Sequence, residues 1–113
     1  ALIDARKGIK MFEATHVPIL GIIENMSYYS CPSCGHQDHI FGHHGAEYEA
    51  AKNNVPFLGG IPLNKDIREA SDAGAPVTLK GGETAVIFET MIAKMITQLQ
   101  SAPKKPPLIR FVA

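Results

Sequence analysis

The chain of 113 residues has little cysteine, no net charge and no long apolar run, and each shortage closes off a class of protein. Two cysteines are too few for a secreted disulfide scaffold, where several bridges stand in for a small core. Eleven basic residues offset eleven acidic ones. That balance gives no reason to expect nucleic acid or an anionic membrane as the main partner. No apolar stretch nears the roughly 20 residues that a bilayer span requires. Ala1-Leu2-Ile3-Asp4-Ala5-Arg6 carries an early acid and no apolar h-region, so the start does not read as a signal peptide. It also has no initiator methionine, and the expectation is a processed product or a piece of a longer protein. No internal repeat occurs.

What is present reads as α/β. Leu2, Ala5, Ile9 and Phe12 recur at helical spacing, and His16-Val17-Pro18 ends the pattern, which predicts a helix over residues 2–14. Val17 to Ile23 is short, apolar and rich in branched residues, as in a parallel strand buried on both faces. Residues 25–42 lack periodicity and hold both cysteines, which suggests a functional or metal-held loop. Gly45 to Asn53 reads as a helix closed by Asn54, and Val55 to Ile61 as a second buried strand. One or two helical turns are expected around Asp66–Ala70, stopped near Gly74 and Pro76. Phe88, Met91, Ile92, Met95, Ile96 and Leu99 mark the apolar face of a helix from Glu83 to Gln100. Two units follow: residues 1–100 as an α/β body, and residues 101–113 as a Pro- and Lys-rich linker with an apolar tail. Two buried-type strands cannot by themselves make a doubly wound sheet, so the body reads as the C-terminal part of a larger one.

Cys31-Pro32-Ser33-Cys34-Gly35 concentrates the chemistry. Two thiolates two residues apart reach one metal from a tight turn, Pro32 bends the backbone, and Gly35 is expected to let an amide approach a sulfur. Soft thiolates select zinc, copper(I) or iron–sulfur clusters over hard cations. Three readings compete. Two copies of the loop, related by a two-fold axis, would supply four cysteines to one 4Fe–4S cluster. Alternatively, Cys31 and Cys34 join His39 and His43 around a zinc ion in a zinc-stabilised interaction module. The third reading is a dithiol/disulfide switch. His36 and His44 complete a dense run of histidines, for which a surface or supporting role is the plainer reading. Arg68 is expected to pair with Asp66 or Glu69 on a helix surface rather than to bind phosphate.

The run from Gly21 through Glu24-Asn25-Met26-Ser27-Tyr28-Tyr29 to Cys31-Pro32-Ser33-Cys34-Gly35 resembles the Mrp/ApbC family of P-loop NTPases. These are iron–sulfur cluster carriers related to MinD and the nitrogenase iron protein. The resemblance continues at His39-Ile40-Phe41-Gly42, Gly59-Gly60-Ile61-Pro62-Leu63, Asp66 to Ala70 and Asp72 to Val77, and covers residues 1 to about 98. It implies a doubly wound parallel-sheet domain and a 4Fe–4S cluster bridged between two protomers by Cys31 and Cys34. It implies delivery of the cluster to apo iron–sulfur proteins, in a bacterial cytoplasm or a mitochondrial matrix. It also implies that Asn25 reads adenine at a strand end, that Pro62 lines the base, and that Asn64 touches the nucleoside.

One departure is large. No G-x-x-x-x-G-K-[ST] run occurs in the chain, and Gly81-Gly82-Glu83-Thr84 lacks the lysine and the loop length to replace it. Phosphoryl transfer needs lysine and magnesium on the phosphates. ATP and Mg therefore belong to the full-length family, and this chain alone is not expected to hydrolyse ATP.

Overall fold

A computed structural model describes residues 1–102, so the expected apolar tail lies outside the described residues. The elements run α1 (Leu2–Ala14), β1 (Ile22–Glu24), β2 (Tyr29–Ser30), β3 (Gln37–Asp38), α2 (Gly45–Lys52), β4 (Phe57–Gly60), α3 (Lys65–Asp72), a 3-10 turn (Val77–Leu79) and α4 (Glu83–Ser101). The helices lie where the apolar spacing puts them. Three of them end alike, with a left-handed residue after the last turn and a hydrogen bond back to the carbonyl five residues before the residue that follows it. His16 does this for α1, Asn54 for α2 and Gly74 for α3. The closing bonds are Val17 N–H to Phe12 O at 2.9 Å, Val55 N–H to Ala50 O and Ala75 N–H to Ala70 O, both at 3.0 Å.

β1 and β4 pair in parallel, with Ile23 opposite Gly59 and Glu24 opposite Gly60, and the register is irregular between Ile22 and Ile23. The two strand segments approach so closely that side chains are excluded. A Cβ on Gly21 would lie 2.5 Å from Leu58 Cγ and 2.8 Å from the Pro56 carbonyl. α2 packs on both strands and α4 on β4. Leu58, Ala46, Ala50, Ala85 and Met91 are buried there, mostly small residues that let helix and sheet close up. α1 joins through buried Ile9 and through Arg6, whose Nε donates to Glu49 Oε1 at 2.7 Å.

Two expectations need correction. The first strand was expected over Val17–Ile23, but only Ile22–Glu24 pairs, because four residues of β4 are the partner backbone within reach. It was also expected to be buried on both faces, yet Ile23 is 43% exposed. Along α4, Met91 is buried, while Ile92, Met95, Ile96 and Leu99 of the apolar face are exposed. No helix among the described residues is long and apolar enough to cross a membrane.

Candidate metal centre and ligand groove

The loop read from sequence as irregular contains a small hairpin. β2 and β3 pair antiparallel, Tyr29 opposite Asp38 and Ser30 opposite Gln37. The cysteine turn caps it. Cys31 N–H donates to the His36 carbonyl and Gly35 N–H to the Cys31 carbonyl, each at 2.9 Å. Gly35 has φ +74°, a conformation this tight turn asks of a residue without a Cβ. Cys31 is half-buried, Cys34 is exposed, and both are free thiols.

The turn favours the thiolate form of Cys31. The backbone N–H of Cys34 chiefly, then that of Ser33, and then the Cys34 thiol hold the Cys31 thiol below its ordinary range, against a smaller opposing effect of burial. Hydrogen bonds to the charged form favour the thiolate, the form that binds metal. The amides that reach this sulfur are therefore those of Ser33 and Cys34. The Gly35 N–H is directed at the Cys31 carbonyl.

The histidines assemble elsewhere. The His39 ring packs against Tyr28 at 6.0 Å and against His43 at 3.9 Å, and His43 packs against His44 at 3.5 Å. His44 Nδ1 lies 2.7 Å from Glu47 Oε2. Partial desolvation, then the nearby His39 and His44, push His43 below the usual imidazole range, while Glu47 and Glu24 oppose the shift. Among the described residues, no group of three or more His, Cys, Asp or Glu is placed to hold a metal. The four-ligand set Cys31, Cys34, His39 and His43 is thus not brought together within one chain.

A groove of about 460 Å³ opens beside the hairpin. Buried Pro62 and half-buried Asn64 form part of its wall with Tyr28, Ser30 and Gln37, and the first turns of α4 supply Val86 and Ile87. Asn64 has a second task as the N-cap of α3, its Oδ1 accepting from Asp66 N–H at 2.8 Å. Asn25 follows β1, is exposed, and does not line this groove. Its Oδ1 accepts from the next residue's N–H, Met26, at 3.0 Å. The groove therefore brings Pro62 and Asn64 together and leaves Asn25 outside. Arg68 makes surface ion pairs, with Asp72 at 3.7 Å and Glu69 at 3.9 Å, so the expected type of contact holds with Asp72 in place of Asp66.

The profile of the NUBPL iron-transfer P-loop NTPases matches residues 1–99. The chain belongs to this family. An iron–sulfur cluster transfer protein, NUBPL, of Dictyostelium discoideum is 42% identical over 102 residues, covering 88% of this chain and 32% of that protein. The iron–sulfur cluster carrier protein of Escherichia coli K12 is 45% identical over 101 residues, covering 88% of this chain and 27% of its own length. A protein of Arabidopsis thaliana, named as an iron–sulfur protein required for NADH dehydrogenase, mitochondrial, is 40% identical over 108 residues, covering 94% and 34%. The chain thus spans about a third of the length of these relatives. Among solved structures, a nucleotide-binding protein of Archaeoglobus fulgidus in complex with ADP superposes with a TM-score of 0.56 at 39% identity. That match covers 63% of this chain and 29% of the other. The resemblance carried by Glu24-Asn25-Met26 and the cysteine turn is borne out at the level of family, and the fold is α/β with a parallel sheet.

In this NUBPL-type chain one positioning residue escaped the sequence reading. Glu24 ends β1, and its Oε2 accepts from Ala46 N–H at 3.2 Å in the first turn of α2, while the Ser27 hydroxyl donates to Oε1. It ties the strand end to the helix and to the turn leading into the hairpin. The available signal was a carboxylate closing an apolar run.

Proposed function

We propose that this chain supplies the cluster-holding and base-binding part of an iron–sulfur cluster carrier. Cys31 and Cys34 ligate a 4Fe–4S cluster as cargo, two chains share it across a two-fold axis, and the cluster passes to apo iron–sulfur proteins. The observation that carries the reading is the cysteine turn: two free thiols at a hairpin tip, one activated by backbone N–H groups. A cysteine-ligated 4Fe–4S cluster takes four thiolates. Two from each of two chains satisfy it, and a cluster held at an interface is easier to release than one enclosed in a single-chain cage.

Asn25, Pro62 and Asn64 contact an adenine nucleotide in this reading. Pro62 and Asn64 do so in the groove, and Asn25 through its side-chain amide at the end of β1. ATP and Mg bind only with a phosphate loop that these 113 residues lack, so ATP hydrolysis belongs to the full-length carrier. The body at residues 1–100 is then the C-terminal part of a doubly wound domain, with its cluster loop at 25–42. Its setting is a bacterial cytoplasm or a mitochondrial matrix, and relatives of both kinds support this.

Anaerobic reconstitution with iron and sulfide tests the assignment. Cys31→Ser and Cys34→Ser are each expected to lose the bound iron, and His39→Ala and His43→Ala to keep it. A colourless protein with about one zinc per chain, lost on either histidine substitution, would support a zinc module instead.

A further inference from the structure

We propose that Glu24 and Ser27 are positioning residues for the cluster: they fix the direction in which the cysteine hairpin leaves the sheet, and so the grip of Cys31 and Cys34 on a shared 4Fe–4S cluster. The inference rests on the cluster reading and adds to it the residues that hold the ligand turn from outside. Both act through the hairpin, not on the cargo itself.

Residues Asn25 to Tyr28 connect β1 to the hairpin. They include a left-handed residue that is not glycine, Met26 at φ +53°. That conformation is disfavoured for a residue with a Cβ, so it persists where neighbouring contacts hold it. The contacts come from both sides. Before it, the Glu24 carbonyl accepts from Ile61 N–H at 2.8 Å, and after it, Ser27 N–H donates to the Ile61 carbonyl at 2.9 Å. The side chains close the same turn, because the Ser27 hydroxyl donates to Glu24 Oε1. Gly60 makes room for this bond, since a Cβ there would lie 2.6 Å from Ser27 Oγ.

The second Glu24 oxygen carries the turn to a packed element. Oε2 accepts from Ala46 N–H at 3.2 Å, in the first turn of α2. The helix dipole favours a carboxylate at that end. α2 itself packs on β1 and β4, with Ala46 and Ala50 buried. One carboxylate thus joins strand end, packed helix and hairpin entry. Beyond Ser27, the hairpin is tied to the body through the Leu63 N–H to Tyr28 carbonyl bond and the Tyr29–Leu63 bridge. Four thiolates from two chains meet one cluster when both hairpins point at the two-fold axis. A hairpin already held in that direction loses less freedom as the cluster binds, so it grips more tightly. Releasing Ser27 from Glu24 frees the hairpin and weakens the grip while leaving both cysteines in place.

The test is iron release to a chelator from the reconstituted chain. Ser27→Ala should speed release about two- to tenfold, the weight of one hydrogen bond. Gly60→Ala, which drives a methyl into Ser27, should do likewise. Adding Ser27→Ala to Glu24→Ala should change the rate no further, because the serine acts through the carboxylate. Arg6→Met is the control for stability alone: it breaks the α1–α2 pair and should lower the thermal midpoint without changing release. Release that follows the thermal midpoint across all the variants, Arg6→Met included, overturns the positioning role. So does a wild-type rate in Ser27→Ala and Gly60→Ala. Both results leave the cluster reading standing, and Ser27→Ala carries the test if Glu24→Ala does not fold. A wild-type chain that takes up no cluster overturns the cluster reading and this inference together.

Discussion

The β1–β4 sheet and the β2–β3 hairpin sit side by side and are held in different ways. In the sheet, Gly21 and Gly60 lie so close to Leu58, Pro56 and Ser27 that a methyl group has no room, and Ala46, Ala50 and Ala85 bring helices against the strands. In the hairpin, two-residue strands and a few turn hydrogen bonds carry the conformation, and Gln37, Asp38 and Cys34 are exposed. A framework fixed by backbone contact decides where the cysteines emerge. The hairpin that carries them has little packing of its own.

Substitutions that separate the two regions sharpen this contrast. The largest effect is on cargo. Cys34→Ser should abolish cluster binding while leaving the urea midpoint of the apo chain nearly unchanged, and a large loss of stability would contradict the division. Next comes Gly21→Ala, which forces a methyl onto Leu58 and the Pro56 carbonyl. Overpacking of this kind costs about 1–3 kcal/mol, measurable by urea unfolding. Asn64→Ala removes the cap of α3 and should cost about 1 kcal/mol, with Asn64→Asp restoring most of it.

A pH prediction concerns the seam between α1 and α2. The Arg6 hydrogen bond, foremost, holds the Glu49 carboxyl below its ordinary range, with the charges of Arg6 and Lys52 adding to it against desolvation. Since the folded-state pKa is depressed, this stabilisation is full above the ordinary carboxylate pKa of about 4.3 and is lost as pH falls through the lower folded value. Arg6→Met should lower the thermal midpoint at pH 7 and flatten its fall with acid below that range. An unchanged acid limb would show that the pair does not hold α1. The smallest effect is Arg68→Ala, whose ion pairs are exposed, so the urea midpoint should correspond to a change of no more than about 0.5 kcal/mol.

Periodicity placed the helices well, because α1, α2 and α4 each repeat apolar residues near 3.6 and end at recognisable stop signals. Strand length was less legible. The apolar run Val17–Ile23 reports a tendency to be buried, while pairing depends on how much of β4 is available. The hairpin was invisible to pattern reading because strands of two residues have no alternation to detect. Residue type and spacing mark Cys31 and Cys34 as candidate soft ligands. Which amides reach Cys31 is a matter of turn geometry, which chemical type does not encode. Asn64 shows the same limit, since a short side chain forms a local hydrogen bond that spacing cannot foresee.

The central claim, two cysteines per chain meeting across an interface, is tested most directly by anaerobic reconstitution followed by iron, sulfide and mass determination across a sizing column. The account predicts a coloured dimer with about four irons per two chains. A coloured monomer carrying a full cluster, or a colourless monomer retaining about one zinc, would contradict it.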